Sequence, residues 1–145
     1  MKKGIASLFA LSLMLTGCKS NTQMALTFNV ETGDSINVQL DTTENAYKLK
    51  ADGSHFIVEE NDDKVVEGIF LTTDMYSQYE KAIEQTGKIL ESDGYILYEF
   101  DGQAGTERNI LLMVPDSDTG VIMASLKDEA KVRDVYGKLT FTNEK

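Results

Sequence analysis

The fold turns on residues 109–126, NILLMVPDSDTGVIMASL. Two apolar runs, residues 109–114 and 121–126, flank Pro115-Asp116-Ser117-Asp118-Thr119-Gly120, which is a turn by composition. Successive side chains of an extended chain point to opposite faces, so Ile110, Leu112 and Val114 look one way and Leu111 and Met113 the other. Both faces are therefore apolar. Strands of this kind belong in the middle of a sheet covered on both sides.

On the N-terminal side the pattern is that of half-buried strands, with a period of two. Leu26, Phe28 and Val30 alternate with Thr27 and Asn29. After a Thr32-Gly33-Asp34 turn, Ile36, Val38 and Leu40 alternate with Ser35, Asn37 and Gln39. Tyr47, Leu49 and Ala51 precede Asp52-Gly53, a two-residue hairpin signal whose members tolerate positive φ. Strands over residues 55–60 and 65–71 follow, joined by the charged turn Asn61-Asp62-Asp63-Lys64. At Thr72 the period becomes helical. Met75, Tyr76, Tyr79, Ala82 and Ile83 share a face, Thr73 or Asp74 caps the start, and Gly87 supplies a left-handed closing residue, giving a helix over residues 74–86. Further strands are expected at residues 88–91 and 95–100, with Tyr98 and Phe100 on the face of Ile96 and Tyr95 on that of Leu97. Ser125-Leu126-Lys127-Asp128 fits a capping box for a second helix, with Ala130, Val132, Val135, Tyr136 and Leu139 as its apolar face. Phe141 docks a tail that then frays.

Five strands, a helix, four strands and a helix make an α+β domain: an antiparallel sheet of about eight to nine strands packed by two α-helices. The opening five-strand meander also allows a small lipocalin-like β-barrel. In element order alone, residues 25–145 resemble the PsbP/DcrB type of α+β sandwich, which occurs in bacterial lipoproteins.

The first residues are different in kind. Lys2 and Lys3 precede an apolar run over residues 5–15, and Leu15-Thr16-Gly17-Cys18 follows. A basic start, a short apolar stretch and small residues before a cut site read as a secretory signal peptide, residues 1–17. The run would span some 16 Å as a helix, about half of a ~30 Å hydrocarbon core. The Leu-Thr-Gly-Cys ending resembles the lipobox of bacterial lipoproteins. It implies cleavage between Gly17 and Cys18 and a diacylglyceryl group on the Cys18 sulfur. Cys18 is the only cysteine of the chain, so its acylation would leave the mature domain without a thiol. Two or more acyl chains make an anchor stable where one is marginal. Residues 18–24 would then be the lipidated cysteine and a short polar tether, and residues 25–145 a single domain. By resemblance to the usual sorting pattern, Lys19 favours the outer membrane where the cell has one; otherwise the domain faces outward from the cell membrane.

The chain holds 14 basic and 24 acidic residues. Loss of Lys2 and Lys3 leaves 12 basic residues and a net charge of −12. That balance argues against nucleic acid as a partner and, since polybasic segments do that, against the domain lying flat on anionic lipid. The remaining partners are the membrane, through Cys18, and another protein of the envelope. One domain's length also excludes a two-lobed solute receptor.

No set of residues spells out a reaction. His55, the only histidine, follows Ser54, but neighbours in a strand point apart, and no G-x-S-x-G elbow occurs. One histidine without a thiol is not a zinc site. Asp116 and Asp118 are the metal candidates of the acidic turn. As a calcium loop starting at Asp116, the stretch has Gly120 where an acidic ligand belongs, Val121 for the glycine and Lys127 for the closing glutamate. Residues 101–108, with nothing more apolar than Ala104, read as a loop and a recognition edge. The sequence implies no cofactor and no catalytic residue. A pocket between sheet and helix, for a small ligand or an ion, is one alternative, and an enzyme that uses surface carboxylates is another.

Overall fold

The computed structural model describes residues 9–10, 22–44 and 46–144. Gly17 and Cys18 lie outside them. The strands are β1 (Phe9–Ala10), β2 (Gln23–Asn29), β3 (Ser35–Asp41), β4 (Tyr47–Asp52), β5 (His55–Glu60), β6 (Asp63–Leu71), β7 (Lys88–Ser92), β8 (Ile96–Gly102), β9 (Gly105–Met113), β10 (Gly120–Ser125) and β11 (Leu139–Asn143). The helices are α1 (Thr73–Thr86) and α2 (Glu129–Lys138). The class is α+β, but the strands divide between two open antiparallel sheets. The smaller runs β1-β2-β3-β11 and the larger β4-β5-β6-β10-β9-β8-β7. Neither closes on itself, which overturns the barrel alternative.

The apolar stretch that opened the sequence reading lies at the centre. β10 sits between β6 and β9, with Ile122 opposite both Ile69 and Leu111. On one face Ile110, Leu112, Val114, Val121 and Met123 join the main core; on the other Leu111 and Ile122 meet Leu71, Ile83 and Tyr98. The main core is the space between the sheets. Leu26, Phe28, Ile36, Val38, Leu40, Leu139 and Phe141 of the small sheet fill it from one side, together with Val132 and Val135 of α2. Helix α1 covers part of the large sheet's opposite face with Tyr76, Tyr79 and Ile83. The layers are thus α1, the large sheet, and the small sheet beside α2.

Several local expectations need correction. The tail does not fray after docking Phe141. Leu139, Phe141 and their neighbours form β11, which pairs with β3 through Leu139↔Leu40 and Phe141↔Val38. Leu139 therefore belongs to a strand and not to the α2 face, and Ala130, Ala82 and Met75 are exposed. Thr72, one residue earlier than expected, caps α1 by accepting a hydrogen bond from the Met75 amide at 3.2 Å. Gly87 is extended, at φ −90°, and is not left-handed. Its smallness matters for packing, because a Cβ there would lie 3.1 Å from the Ile83 carbonyl and 3.2 Å from the Tyr98 ring. Ser125 ends β10, where its hydroxyl donates to the Val65 carbonyl at 2.6 Å, and Asp128 caps α2 in its place. The domain begins before residue 25, since β2 already starts at Gln23.

The hairpins also shift. Asp52 pairs with His55, so the turn is Gly53-Ser54 with positive φ at Gly53 alone. Asn61 and Asp62, at φ 52° and 67°, make the turn in which both central residues are left-handed. The expected loop over residues 101–108 is a tight hairpin, with Gly102 opposite Gly105 and Asp101 opposite Thr106.

Candidate functional site

Asp116 and Asp118 meet the Asp34 cluster through their backbones, in a joint between the two sheets. The β2–β3 turn carries Thr32 and Asp34, the β9–β10 turn carries residues 114–119, and Asn143 closes the group from the end of β11. Asp34 is the hub. One of its oxygens accepts from the Thr119 hydroxyl at 2.7 Å, the Asp118 amide at 2.9 Å and the Thr32 hydroxyl at 3.1 Å. The other accepts from the Asn143 side-chain amide at 3.2 Å, and that amide also donates to the Asp116 carbonyl at 3.0 Å. The hydroxyls of Thr32 and Thr119 lie 2.6 Å apart. These donors, the Thr119 hydroxyl foremost, hold the Asp34 carboxyl below the usual carboxylate range despite some desolvation. Both Asp34 oxygens thus serve protein donors, and Asp116 takes part through its backbone. Among the described residues no three His, Cys, Asp or Glu side chains are grouped as metal ligands. The acidic turn is a hydrogen-bonded lock between sheets.

A second polar cluster seals α2 to β4. The Tyr47 hydroxyl donates to Asp134 at 2.6 Å, and Lys131 lies 5.5 Å from the Tyr47 ring centre while bonding Glu60 at 2.8 Å. Tyr47 is 2% exposed, and burial, helped by the Asp134 carboxylate, pushes its pKa up to about 12. An unfolded tyrosine loses its proton near pH 10. Between about pH 10 and 12 the folded chain therefore binds more protons than the unfolded one, and this group makes stability fall as pH rises. Tyr47→Phe should lower the neutral-pH stability by about 1.5–3 kcal/mol, the value of a hydrogen bond to a charged acceptor. The gap from the parent should then narrow from about pH 10 to 12, which denaturant unfolding across that range measures. A gap that stays constant contradicts the assignment.

His55 has a partner that sequence neighbours do not reveal. Its Nδ1 lies 2.6 Å from Glu67, which also accepts from Lys64 at 2.7 Å. Lys64, and then His55, hold the Glu67 carboxyl below its usual range. The pairing follows from register: Ile57 faces Glu67 across β5 and β6, which places His55 diagonally from it on the same side. That side is only half covered by α1, for Ala124 is exposed although β10 is a central strand. In the same row Asn109 is 4% exposed; its side-chain nitrogen lies 3.4 Å from the Tyr98 hydroxyl, and its side-chain oxygen has no hydrogen-bond partner among the described residues. A histidine oriented by a glutamate is the start of an acid–base pair, but Ser54 sits in the hairpin turn between Asp52 and His55.

The anticipated pocket between helix and sheet corresponds to a crevice of about 180 Å³ under α2. Arg108, Ser125, Val132 and Tyr136 are among its lining residues. That volume includes open solvent and lies below the ~300 Å³ at which small-molecule pockets begin. Arg108 is engaged at its rim, bonding Glu99 at 3.2 Å and the Lys127 carbonyl at 3.0 Å. No protein-family model matches the chain, and no curated protein and no solved structure matches it either.

Proposed function

We propose that this chain is a lipid-anchored bacterial lipoprotein whose α+β domain works outside the cytoplasm through contacts with other envelope proteins, without catalysis of its own. The observation that carries the reading is the order Lys2-Lys3, apolar residues 5–15, and Leu15-Thr16-Gly17-Cys18. Two features of the fold agree with it. No helix among the described residues is long and apolar enough to cross a membrane, so attachment falls to the lipid. The domain also begins at Gln23, close behind Cys18. Cleavage before Cys18 would remove β1 and leave β2 as an edge of the small sheet.

Cys18→Ala tests the anchor without touching a residue of either sheet. The parent should sediment with membranes and enter the detergent phase on phase separation, whereas residues 18–145 carrying Cys18→Ala, made without the apolar leader, should stay in the aqueous phase with the parent's melting temperature. A Cys18→Ala chain that partitions like the parent overturns the reading.

A further inference from the structure

The outer face of the small sheet differs from the rest of this acidic surface. By alternation it presents Gln23, Ala25, Thr27 and Asn29 from β2, Ser35, Asn37 and Gln39 from β3, and Thr140 and Thr142 from β11. Their alternating neighbours along the strands, Leu26, Phe28, Ile36, Val38, Leu40 and Phe141, fill the core. The exposed set is amide, hydroxyl and one alanine. Charge appears only at its two ends, as Asp41 and Glu144, in a chain of 24 acidic residues. The side chains order one another: Asn37 donates to Thr27 at 3.1 Å and Gln39 to Gln23 at 2.7 Å. The net charge argues against contact between anionic lipid and the domain as a whole, but a face so poor in charge is the one that an anionic surface repels least.

We infer that this face lies against the headgroup layer of the membrane that holds Cys18. The inference rests on the anchor proposed above and adds an orientation to it. Residues 18–22 reach at most roughly 18 Å, at 3.3–3.6 Å per residue. Their end is Gln23, the first residue of β2, in the small sheet. Face-packed sheets stand about 10 Å apart, and α1 lies a further layer beyond the large sheet. The tether therefore keeps the small sheet next to the bilayer and α1 away from it. Hydroxyl and amide groups can both donate to phosphate and glycerol oxygens and accept from ethanolamine. The acidic side chains of α1, Asp74, Glu80 and Glu84, then face outward, where a partner protein can reach them.

Because Cys18 is the chain's only cysteine, an introduced thiol can report on this directly. Lipidated Thr140→Cys and Lys81→Cys chains, both altered at exposed positions, are placed in phosphatidylethanolamine–phosphatidylglycerol vesicles and labelled with a neutral, water-soluble maleimide. The same substitutions in a Cys18→Ser background, free in solution, give the reference rates. The inference expects Thr140→Cys to label several-fold more slowly on vesicles than in solution, with Lys81→Cys unchanged. Equal rates at both positions in a chain that floats with the vesicles overturn the orientation and leave the anchor standing. A lipidated preparation that does not float overturns the anchor, and the orientation with it.

Discussion

Gly68→Ala is expected to destabilise the domain by about 3 kcal/mol, at the upper end of the cost of overpacking a core. Gly68 of β6 faces Phe56 of β5 across the ladder, and the Phe56 ring lies over it. A Cβ at Gly68 would overlap that ring; even its third-nearest atom, Phe56 Cε2, would be 2.7 Å away. The ring has nowhere to go. Phe56 is fully buried, with Phe70 and Phe141 centred 5.7 and 5.6 Å away, and Phe70 in turn meets Phe28 at 5.1 Å. A shift of Phe56 therefore pushes on β2 and β11, so the clash loads the contact between the two sheets. Thermal unfolding should show a loss of roughly 10 °C for a domain of this size. The double variant Gly68→Ala, Phe56→Leu should be less damaging than the sum of its parts, because leucine frees space beside the new methyl. Gly68→Ala melting at the parent temperature would mean that the sheets do not pack through these rings.

The second large effect falls on Asp34. Asp34→Ala removes the acceptor of the Thr119, Thr32 and Asn143 side chains and of the Asp118 amide, and Thr119 has no exposed surface from which to find water instead. The loss should cost about 3 kcal/mol, the upper end of the ~1.5–3 kcal/mol of one hydrogen bond to a charged acceptor, because Thr32, Asn143 and Asp118 are exposed or half-buried and their donors can turn to water. Asp34→Asn should cost less, because its amide keeps one acceptor but turns a donor toward a donor. The pH dependence has a definite sign. The folded carboxyl titrates below its unfolded value near 4, so its contribution is complete above about pH 4 and is lost as pH falls through the lowered folded pKa. Acid unfolding of Asp34→Ala should thus be shallower than that of the parent, with the two curves converging at low pH. Parallel curves would show that Asp34 is not the charged hub of the lock.

Strands and their faces were legible in the sequence wherever the alternation was clean. Tyr98 with Phe100, Leu97 with Tyr95, and the two-faced strand of residues 110–114 lie as the spacing says. What period alone does not contain is the partner of each strand. The strands divide into two sheets because β11 returns to β3, a pairing between residues about a hundred positions apart. Leu139-Thr140-Phe141-Thr142 does alternate, but it follows a helix without a break, and Leu139 fits the helical face equally well. Gly87 and Ser125 misled for a related reason. Each is a residue type favoured at helix ends, and here tertiary contacts use it instead: Tyr98 needs the space at Gly87, and Val65 takes the Ser125 hydroxyl. The polar joint was half legible. Its turns at 32–34 and 115–120 were readable from Gly, Pro and Asp, but their contact through Asp34 spans 85 residues to Thr119 and appears only once the sheets stack.

The proposed anchor is the step from fold to function, and it concerns one atom, the Cys18 sulfur. The intact mass and N-terminal fragment of the protein extracted from the membranes of the cell that makes it test this most directly. The expected result is a chain that begins at Cys18 and carries a diacylglyceryl group on that sulfur. A chain that retains residues 1–17, or one that begins at Cys18 with a free thiol, would contradict it.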